Sequence, residues 1–429
     1  MSESRWNLRE HAALGAYALK WAAFCAVLAA AVGTACAWFL LLLDRATLAR
    51  FQHPWLLYAL PASGAAVALL YQLGGKDAER GHNLIMDEIH EPGAGVPARM
   101  APLVFAGTIA THLCGGSAGR EGTAVQMGGS LAALLSRALK LGDADRRTML
   151  MAGVAGGFGA VFGTPLAGAV FAMEVLAIGS LRYDAVLPCL LSALFSDWVC
   201  RAAWGVRHAD YHMSGLSAAS GGDLVILKVA AAGVCFGLAG ALFAGLAHRS
   251  QELFGKISRP WLRPVAGGLA VIALTAALGT REYLGLGVAS PDPRDVTVFS
   301  SFAPGGAHAL SWLWKTVFTA VTLGSGFKGG EVTPLFFVGA SLGNALSIAL
   351  RGPAGLFAAA GFVAVFAGAT NTPLACTIMG VELFGAEHVV PLAVACFVAY
   401  LFSGHAGIYR AQRVAAPKPG RAARPRAET

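Results

Sequence analysis

The segment AGGFGAVFGTPLAGAVFAMEVL, residues 155–176, occurs a second time in altered form as VAVFAGATNTPLACTIMGVELF, residues 363–384. Adding 208 to the residue number maps Glu174 onto Glu382 and one TPLA tetrapeptide onto the other. Chance does not readily produce both matches at one offset, so the chain contains an internal repeat. The sequence leaves open whether the copies are parallel or inverted. The two glutamates are either proton relays or structural groups that bond the other half, and the structural role is favoured.

A glycine-rich polar motif precedes each copy of the repeat. The first is GGSAGREGTAVQMGGSLA, residues 115–132, and the second is GSGFKGGEVTPLFFVGASLGNAL, residues 324–346. Matching polar motifs in two homologous halves indicate a binding site between the halves, where helices are broken. We therefore expect one transmembrane domain over residues 1–410, built from repeats at roughly 18–210 and 223–410.

The composition is that of a membrane protein. Hydrophobic residues make up 56% of the chain, charged residues only 13%, and the mean hydropathy is +0.60. A soluble domain carries roughly twice that charged fraction. The sequence predicts an all-α polytopic membrane protein, in which the shorter apolar runs are partial spans. The main apolar runs are residues 22–43, 55–73, 187–199, 225–247, 265–278 and 389–403.

Positive charge at both ends indicates the orientation. Arg5, Arg9 and Lys20 precede the first apolar run, and residues 411–429 form a basic tail. Because positive residues that flank spans face the cytoplasm, both termini are predicted to be cytoplasmic. Residues 1–20 are predicted to form an amphipathic surface helix. The tail is either a solvated, disordered extension, which is favoured, or a contact for lipid or nucleic acid.

Several function classes are disfavoured by the residue patterns. The eight cysteines form no CxxC pair, so the sequence predicts no metal site, redox site or cofactor. The apolar segments contain no HExxH, Ser–His or paired-aspartate constellation of an intramembrane enzyme. A structural or signalling membrane protein would leave the repeated polar motifs unexplained.

The first motif contains a candidate anion gate. Glycines in GSAGREGT, residues 116–123, are expected to break one helix and expose backbone N–H groups at the start of the next. Glu121 can place its carboxylate at that positive helix end, so that an anion enters only after Glu121 is protonated or displaced. Glu121 is therefore either a gate and proton carrier or a plain helix cap. Arg120 is either an anion ligand or a structural charge, and the structural role is favoured.

The second motif carries another ionisable residue. In GFKGGEVTP, residues 326–334, glycines again precede a helix start, and Pro334 suits the first turn. Thr333 either caps that helix or donates its hydroxyl to an anion. Glu331 is either a functional acid at membrane depth or an exposed surface acid. Lys328 either pairs with Glu331 or attracts anions to a vestibule.

Two more polar segments contain candidate ligands. GHNLI, residues 81–85, contains His82 and Asn83, and GHAGIY, residues 404–409, ends in Tyr409. His82 either donates to an anion or is an ordinary structural histidine, which is favoured. Tyr409 either offers its hydroxyl to the anion or is an interfacial tyrosine, which is favoured from its position.

In their order along the chain, these motifs resemble those of the CLC family of chloride channels and proton-coupled anion antiporters. GREGT at 119–123 is similar to the family's gating-glutamate motif, and GGEVTP at 329–334 takes the place of its second anion-binding motif. GTPLAGAVFAMEV and GHAGIY complete the order. The resemblance runs roughly from Ala18 to Gln412. It implies a CLC-type inverted repeat of tilted and re-entrant helices, and a homodimer in which each subunit has its own pore.

Four departures from the family pattern resemble its fluoride-exporting branch. Gly81-His82-Asn83 replaces a serine between glycines, and Thr123 replaces a proline. Glu331-Val332-Thr333 stands where chloride carriers have apolar residues. Val175 stands where chloride/proton exchangers have an internal proton glutamate.

The resemblance implies a secondary active transporter that exports fluoride in exchange for protons across the bacterial inner membrane. The alternative is a chloride/proton antiporter or an anion channel of the same fold. Fluoride (or chloride), protons, lipid and a second copy of the chain are the expected partners, without nucleic acid. The resemblance assigns gating and proton transfer to Glu121 and Glu331. The implied anion-binding positions are His82, Asn83, Gly119, Arg120, Gly122, Gly330, Val332, Thr333 and Tyr409.

Overall fold

The computed structural model describes residues 8–208 and 222–419, and helices dominate both ranges. The charged residues Arg5, Arg421, Arg424 and Arg426 lie outside these ranges. Within the described residues the α-helices are α1 Leu8–Gln52, α2 Leu60–Gly74, α3 His82–His90, α4 Met100–Leu113, α5 Glu121–Ala138, α6 Asp143–Phe162, α7 Pro165–Glu174, α8 Val186–Trp198, α9 Gly222–Gly255, α10 Leu262–Leu278, α11 Ser311–Gly324, α12 Val332–Leu350, α13 Ala354–Thr370, α14 Pro373–Phe384 and α15 Val389–Phe402. Two short strands are β1 Ala177–Ile178 and β2 Arg413–Val414.

The apolar runs predicted from the sequence coincide with helices. They correspond to α1, α2, α8, α9, α10 and α15, with a 3₁₀ helix, Pro54–Ala59, leading into α2. By length and composition, five helical segments in the described part of the chain can cross a membrane, among them α12. Shorter apolar helices of 10–17 residues accompany them. The prediction of an all-α, multi-pass membrane fold is confirmed.

The N-terminal surface helix is not a separate element. Residues 8–20 belong to α1, which continues without a break through the first apolar run to Gln52. At 1.5 Å per residue its 45 residues extend about 67 Å, twice the thickness of a hydrocarbon core. The exposed first turns therefore project from the same rod that spans the membrane.

The two halves use the same helix contacts in the same order. The packing of α1 on α8 recurs as α9 on α15, and the pair α5–α6 recurs as α12–α13. Likewise α6 packs on α7 as α13 packs on α14. The repeat seen in the sequence thus extends over most of the structure.

The two repeated glutamates show how the halves are related. Glu382, near the end of α14, accepts hydrogen bonds from the backbone N–H groups of Leu166 at 3.0 Å and Ala167 at 2.8 Å, at the start of α7. Glu174, at the end of α7, accepts the two equivalent bonds at the start of α14, at 3.1 and 2.8 Å. Because the end of each helix caps the beginning of the other, α7 and α14 are antiparallel and a two-fold axis passes between them. The halves are inverted, and the structural role of both glutamates is confirmed.

The first part of the C-terminal tail is docked on the helices. Strand β2 pairs in parallel with β1, which follows α7. Lys418 is 4% exposed, and its ammonium donates to Asn371 Oδ1 at 2.6 Å and to the carbonyl oxygens of Tyr400 and Gly404. Carbonyl groups at the end of α15 carry partial negative charge and therefore attract this cation. Residues 411–418 are therefore ordered and not a disordered extension, although residues 413–417 are exposed to solvent.

Loss of a reciprocal cap should weaken the fold. Glu382→Ala removes a charged acceptor from two backbone N–H groups, so we expect the free energy of unfolding to fall by about 2 kcal/mol. Glu382→Gln retains one carbonyl oxygen and should lose about half of that. Thermal melting in detergent measures both. The control is Glu252→Ala, because Glu252 is an exposed glutamate whose contact with Arg410, at 3.5 Å, contributes little to stability. Equal melting temperatures for the two alanine variants would contradict the capping role.

Candidate functional site

The beginnings of α5 and α12 meet in the buried interior, one from each half. The Gly119 N–H donates to the Gly330 carbonyl at 2.6 Å, and the Gly330 N–H donates to the Gly119 carbonyl at 2.8 Å. A Cβ on Gly330 would lie 2.7 Å from the backbone nitrogen of Gly122. Only glycine permits this approach, so the structure brings together Gly119, Gly122 and Gly330.

Glu121 is the first residue of α5, and its carboxylate lies at the beginning of α12. The residue is 1% exposed. The carboxylate accepts hydrogen bonds from the backbone N–H groups of Thr333 and Arg120, both at 3.1 Å, and the Thr333 hydroxyl lies 2.6 Å from each carboxylate oxygen. The Arg120 Nε lies 3.4 Å from Oε1. Glu121 therefore occupies the positive end of a helix from the other half, the kind of place where an anion binds.

Glu331 precedes the first residue of α12. Its Oε2 is buried and has no hydrogen-bond partner among the described residues. Lys328 does not form an ion pair with Glu331. Its ammonium lies over the ring of Tyr71 instead, 4.2 Å from the ring centroid. A buried carboxylate oxygen without a donor is costly unless it carries a proton or bonds a ligand. This arrangement fits an acid that exchanges protons better than an exposed surface acid.

Tyr409 and His82 form the other wall of the same region. Tyr409 is 7% exposed, so it is a buried residue and not an interfacial tyrosine. The rings of His82 and Tyr409 are 5.4 Å apart, and the Nε2 of His82 is buried without a hydrogen-bond partner among the described residues.

Asn83 lines an open cavity of about 550 Å³. Its Oδ1 accepts a hydrogen bond from the backbone N–H of Ala411 at 2.9 Å, so this oxygen anchors the C-terminal tail. Three cationic and two acidic side chains line the cavity, in which Arg80 is paired with Asp87 and Arg410 lies 3.5 Å from Glu252. These charged residues are Lys76, Glu79, Arg80, Asp87 and Arg410.

A family model described as voltage gated chloride channel matches residues 63–404 of this chain. The chain belongs to this family, the CLC family. The resemblance seen in the motifs is thereby confirmed.

Relatives and solved structures include members with different anions in their names. The chain is 49% identical over 424 residues to a chloride/fluoride channel protein of Pseudomonas syringae pv. tomato, covering 96% of this chain and 90% of the relative. An H(+)/Cl(-) exchange transporter of Vibrio cholerae serotype O1 is 28% identical over 326 residues, covering 71% and 66%. The crystal structure of a CLC-type fluoride/proton antiporter has a TM-score of 0.86 at 33% identity, covering 92% of this chain and 98% of that chain. A slow cyanobacterial Cl⁻/H⁺ antiporter shares the fold, with a TM-score of 0.74 at 20% identity over 89% and 94% of the two chains.

The interior beside Val175 is apolar in this CLC protein. A cavity of about 20 Å³, room for about one water, lies between His82, Tyr409 and Val175. Apart from His82 and Tyr409, its lining residues are all apolar. The position that carries an internal glutamate in chloride/proton exchangers, by the resemblance above, therefore supplies no ionisable group here.

One residue that bears on the site was missed from the sequence. Gln126 on α5 places its Nε2 3.2 Å from the Nδ1 of His82. Its signal in the sequence is a single amide inside the glycine-rich motif, among small and apolar neighbours. Nothing local to the motif indicates that this amide faces the beginning of α3.

The close approach of α5 and α12 is testable at Gly330. In Gly330→Ala the new Cβ would meet backbone atoms of Gly122 that have no room to move, so we expect a loss of about 1–3 kcal/mol in unfolding free energy. Melting in detergent measures the loss. Gly15→Ala is the control, because nothing lies within 4 Å of a Cβ at that position on α1. A Gly330→Ala protein that melts like the parent would contradict the contact.

Proposed function

We propose that this chain is a secondary active transporter that exports fluoride from the cytoplasm in exchange for protons. The proposal rests on the hydrogen bonds that the backbone N–H and the hydroxyl of Thr333, at the beginning of α12, donate to the Glu121 carboxylate. An anion and this carboxylate compete for the same donors, so they exclude one another. Protonation of Glu121 removes the charge that the helix end holds and opens the place to an anion. Entry of the anion is thus linked to a proton on Glu121.

The chemistry of the donors supports fluoride as the anion. Fluoride is small and strongly hydrated, so its site must replace a tight water shell with dense hydrogen-bond donors. Thr333 supplies a hydroxyl and a backbone N–H at one point, and Tyr409 is a further buried hydroxyl, beside His82. The 49% identical relative and the solved antiporter with a TM-score of 0.86 both carry fluoride in their names.

Two acids at the beginning of α12 support proton coupling. Glu121 and Glu331 both lie beside Thr333, one in contact with it and the other two positions before it in the chain. Since the cavity beside Val175 has no acid, we place proton exchange at Glu331 and Glu121, in the region that the anion also crosses. One site then serves both ions, which is the simplest physical basis for exchange.

The coupling has a large driving force. Export of one fluoride for one entering proton moves two charges in the direction that an inside-negative potential favours, about 4.6 kcal/mol at 100 mV. A pH difference of one unit adds about 1.4 kcal/mol. We further propose a homodimer in a bacterial inner membrane, with both termini cytoplasmic; basic residues such as Arg9, Lys20 and Arg410 near the helix ends support that orientation.

Anion selectivity tests the proposal directly. Liposomes that contain the purified protein are loaded with fluoride or with chloride, and efflux is followed by ion-selective electrodes. Because the donors are arranged for a small hard anion, we expect fluoride efflux at least about tenfold faster than chloride efflux, a difference of about 1.4 kcal/mol in barrier. Comparable chloride efflux would instead support the chloride/proton antiporter, the function named for the Vibrio relative.

Proton coupling is tested at Glu121. A fluoride gradient should drive protons uphill through the parent protein, whereas a passive channel would drive none. Glu121→Gln has the shape of the acid but cannot carry a proton, so uphill proton movement should fall to the leak of empty liposomes. Glu10→Gln on the exposed part of α1 is the matched control and should pump normally. Proton pumping that survives in Glu121→Gln would remove Glu121 as the gate.

A further inference from the structure

Gln126 and His82 form a partly buried polar pair outside the group of residues described above as the gate. Gln126 is 8% exposed, and its Nε2 lies 3.2 Å from the Nδ1 of His82. Gly81, with φ +52°, precedes the histidine, and a Cβ at Gly81 would lie 3.0 Å from the Gln126 Oε1. The glycine thus gives the amide room to reach the imidazole at the beginning of α3.

The pair determines where the histidine carries its proton. An amide nitrogen only donates hydrogen bonds, so the Nδ1 of His82 must be the acceptor. A neutral imidazole has one N–H, and with Nδ1 accepting, that N–H is at Nε2. The Nε2 of His82 is therefore a buried donor, and within residues 8–208 and 222–419 it has no well-aligned hydrogen-bond acceptor, although the backbone of Gly122 lies against the edge of the imidazole.

This N–H group faces the proposed anion site. A Cβ at Gly122 would be 2.9 Å from the His82 Cε1 and 3.4 Å from its Nε2, so the edge of the imidazole faces the first turn of α5 beside Glu121. Tyr409 packs beside His82, with 5.4 Å between the two ring centroids. A buried N–H without an acceptor destabilises the protein, and an anion at this point would satisfy it.

We propose that Gln126 is a positioning residue that holds His82 in the Nε2–H tautomer, so that this N–H donates a hydrogen bond to the transported anion. The identity of the anion as fluoride rests on the proposed function, but the tautomer does not. Without the Gln126 amide, the imidazole is free to place its proton on Nδ1. Nε2 would then present a lone pair to the anion, which repels it.

The tautomer is measurable without any transport. In protein with ¹⁵N-labelled histidine, the signals of His82 are those that vanish in His82→Phe. At a pH above the usual range of histidine titration, the parent should show protonated Nε2 and unprotonated Nδ1. Gln126→Glu replaces the donor by an acceptor of the same shape and should move the proton to Nδ1. If the His82 signals assigned in this way show a protonated Nδ1 in the parent protein, the proposal is overturned, whatever the Gln126 variants do.

Transport kinetics give the second measurement. Gln126→Met removes the amide at similar volume, so we expect the fluoride KM to rise about three- to tenfold while kcat stays within about twofold. In a His82→Phe background the same change should have no further effect on KM, because the two residues act through one contact. Gln52→Met, at the exposed end of α1, is the control substitution.

The outcomes separate this inference from the proposed function. Additive effects of Gln126→Met and His82→Phe on KM, or an unchanged KM in Gln126→Met, would overturn the positioning role. Loss of fluoride preference in the parent protein would instead overturn the proposed function and leave the tautomer result standing.

Discussion

A helix that begins in the interior of a membrane protein exposes N–H groups that no water satisfies, and this constraint governs the centre of the molecule. Two such beginnings, those of α5 and α12, meet through the bridge between Gly119 and Gly330. The Glu121 carboxylate accepts a hydrogen bond from the Thr333 N–H and so satisfies one of the free donors at the beginning of α12. A carboxylate in that role is at once a structural cap and a competitor for any other anion. The exchange of carboxylate for anion proposed above would use the same hydrogen bonds that complete the fold.

In the described residues, the carboxylates of Glu174, Glu382 and Glu121 accept hydrogen bonds from backbone N–H groups of the other half. Two of these contacts are related by symmetry and the third is not. Glu174 and Glu382 cap each other's helices through paired backbone bonds, and this symmetry fixes the inverted arrangement. Glu121 has no such mate. Val332, the first residue of α12, has no polar side chain that could bond the beginning of α5. The scaffold is therefore two-fold symmetric, whereas the site is not. On the proposed function, this asymmetry would give the anion different partners on its two sides, with Glu121 on one and Tyr409 and His82 on the other.

Much of this was available from the sequence, because the signals are local. Apolar runs predicted the helices, the repeated TPLA segment predicted two halves, and glycines around Glu121 predicted a helix start with a carboxylate. The remainder depends on contacts between distant segments. Asn83 bonds Ala411, 328 positions away, and no pattern near either residue indicates this. Lys418 lies in a stretch rich in proline, alanine and arginine that is typical of a solvated tail, and its burial is explained by distant acceptors, Asn371 and the carbonyl groups at the end of α15.

The reciprocal caps also impose an order on synthesis. The backbone N–H of Leu166, at the beginning of α7, gains its acceptor only when Glu382, 216 positions later in the chain, has been synthesised. At about 5–20 residues per second a ribosome needs roughly 10–40 s to cover that distance. During this interval the first half rests in the membrane with an uncapped helix end, while the start of α14 finds Glu174 already present. The two caps of the nascent chain therefore form at different times, and both are present only after Glu382 has been synthesised.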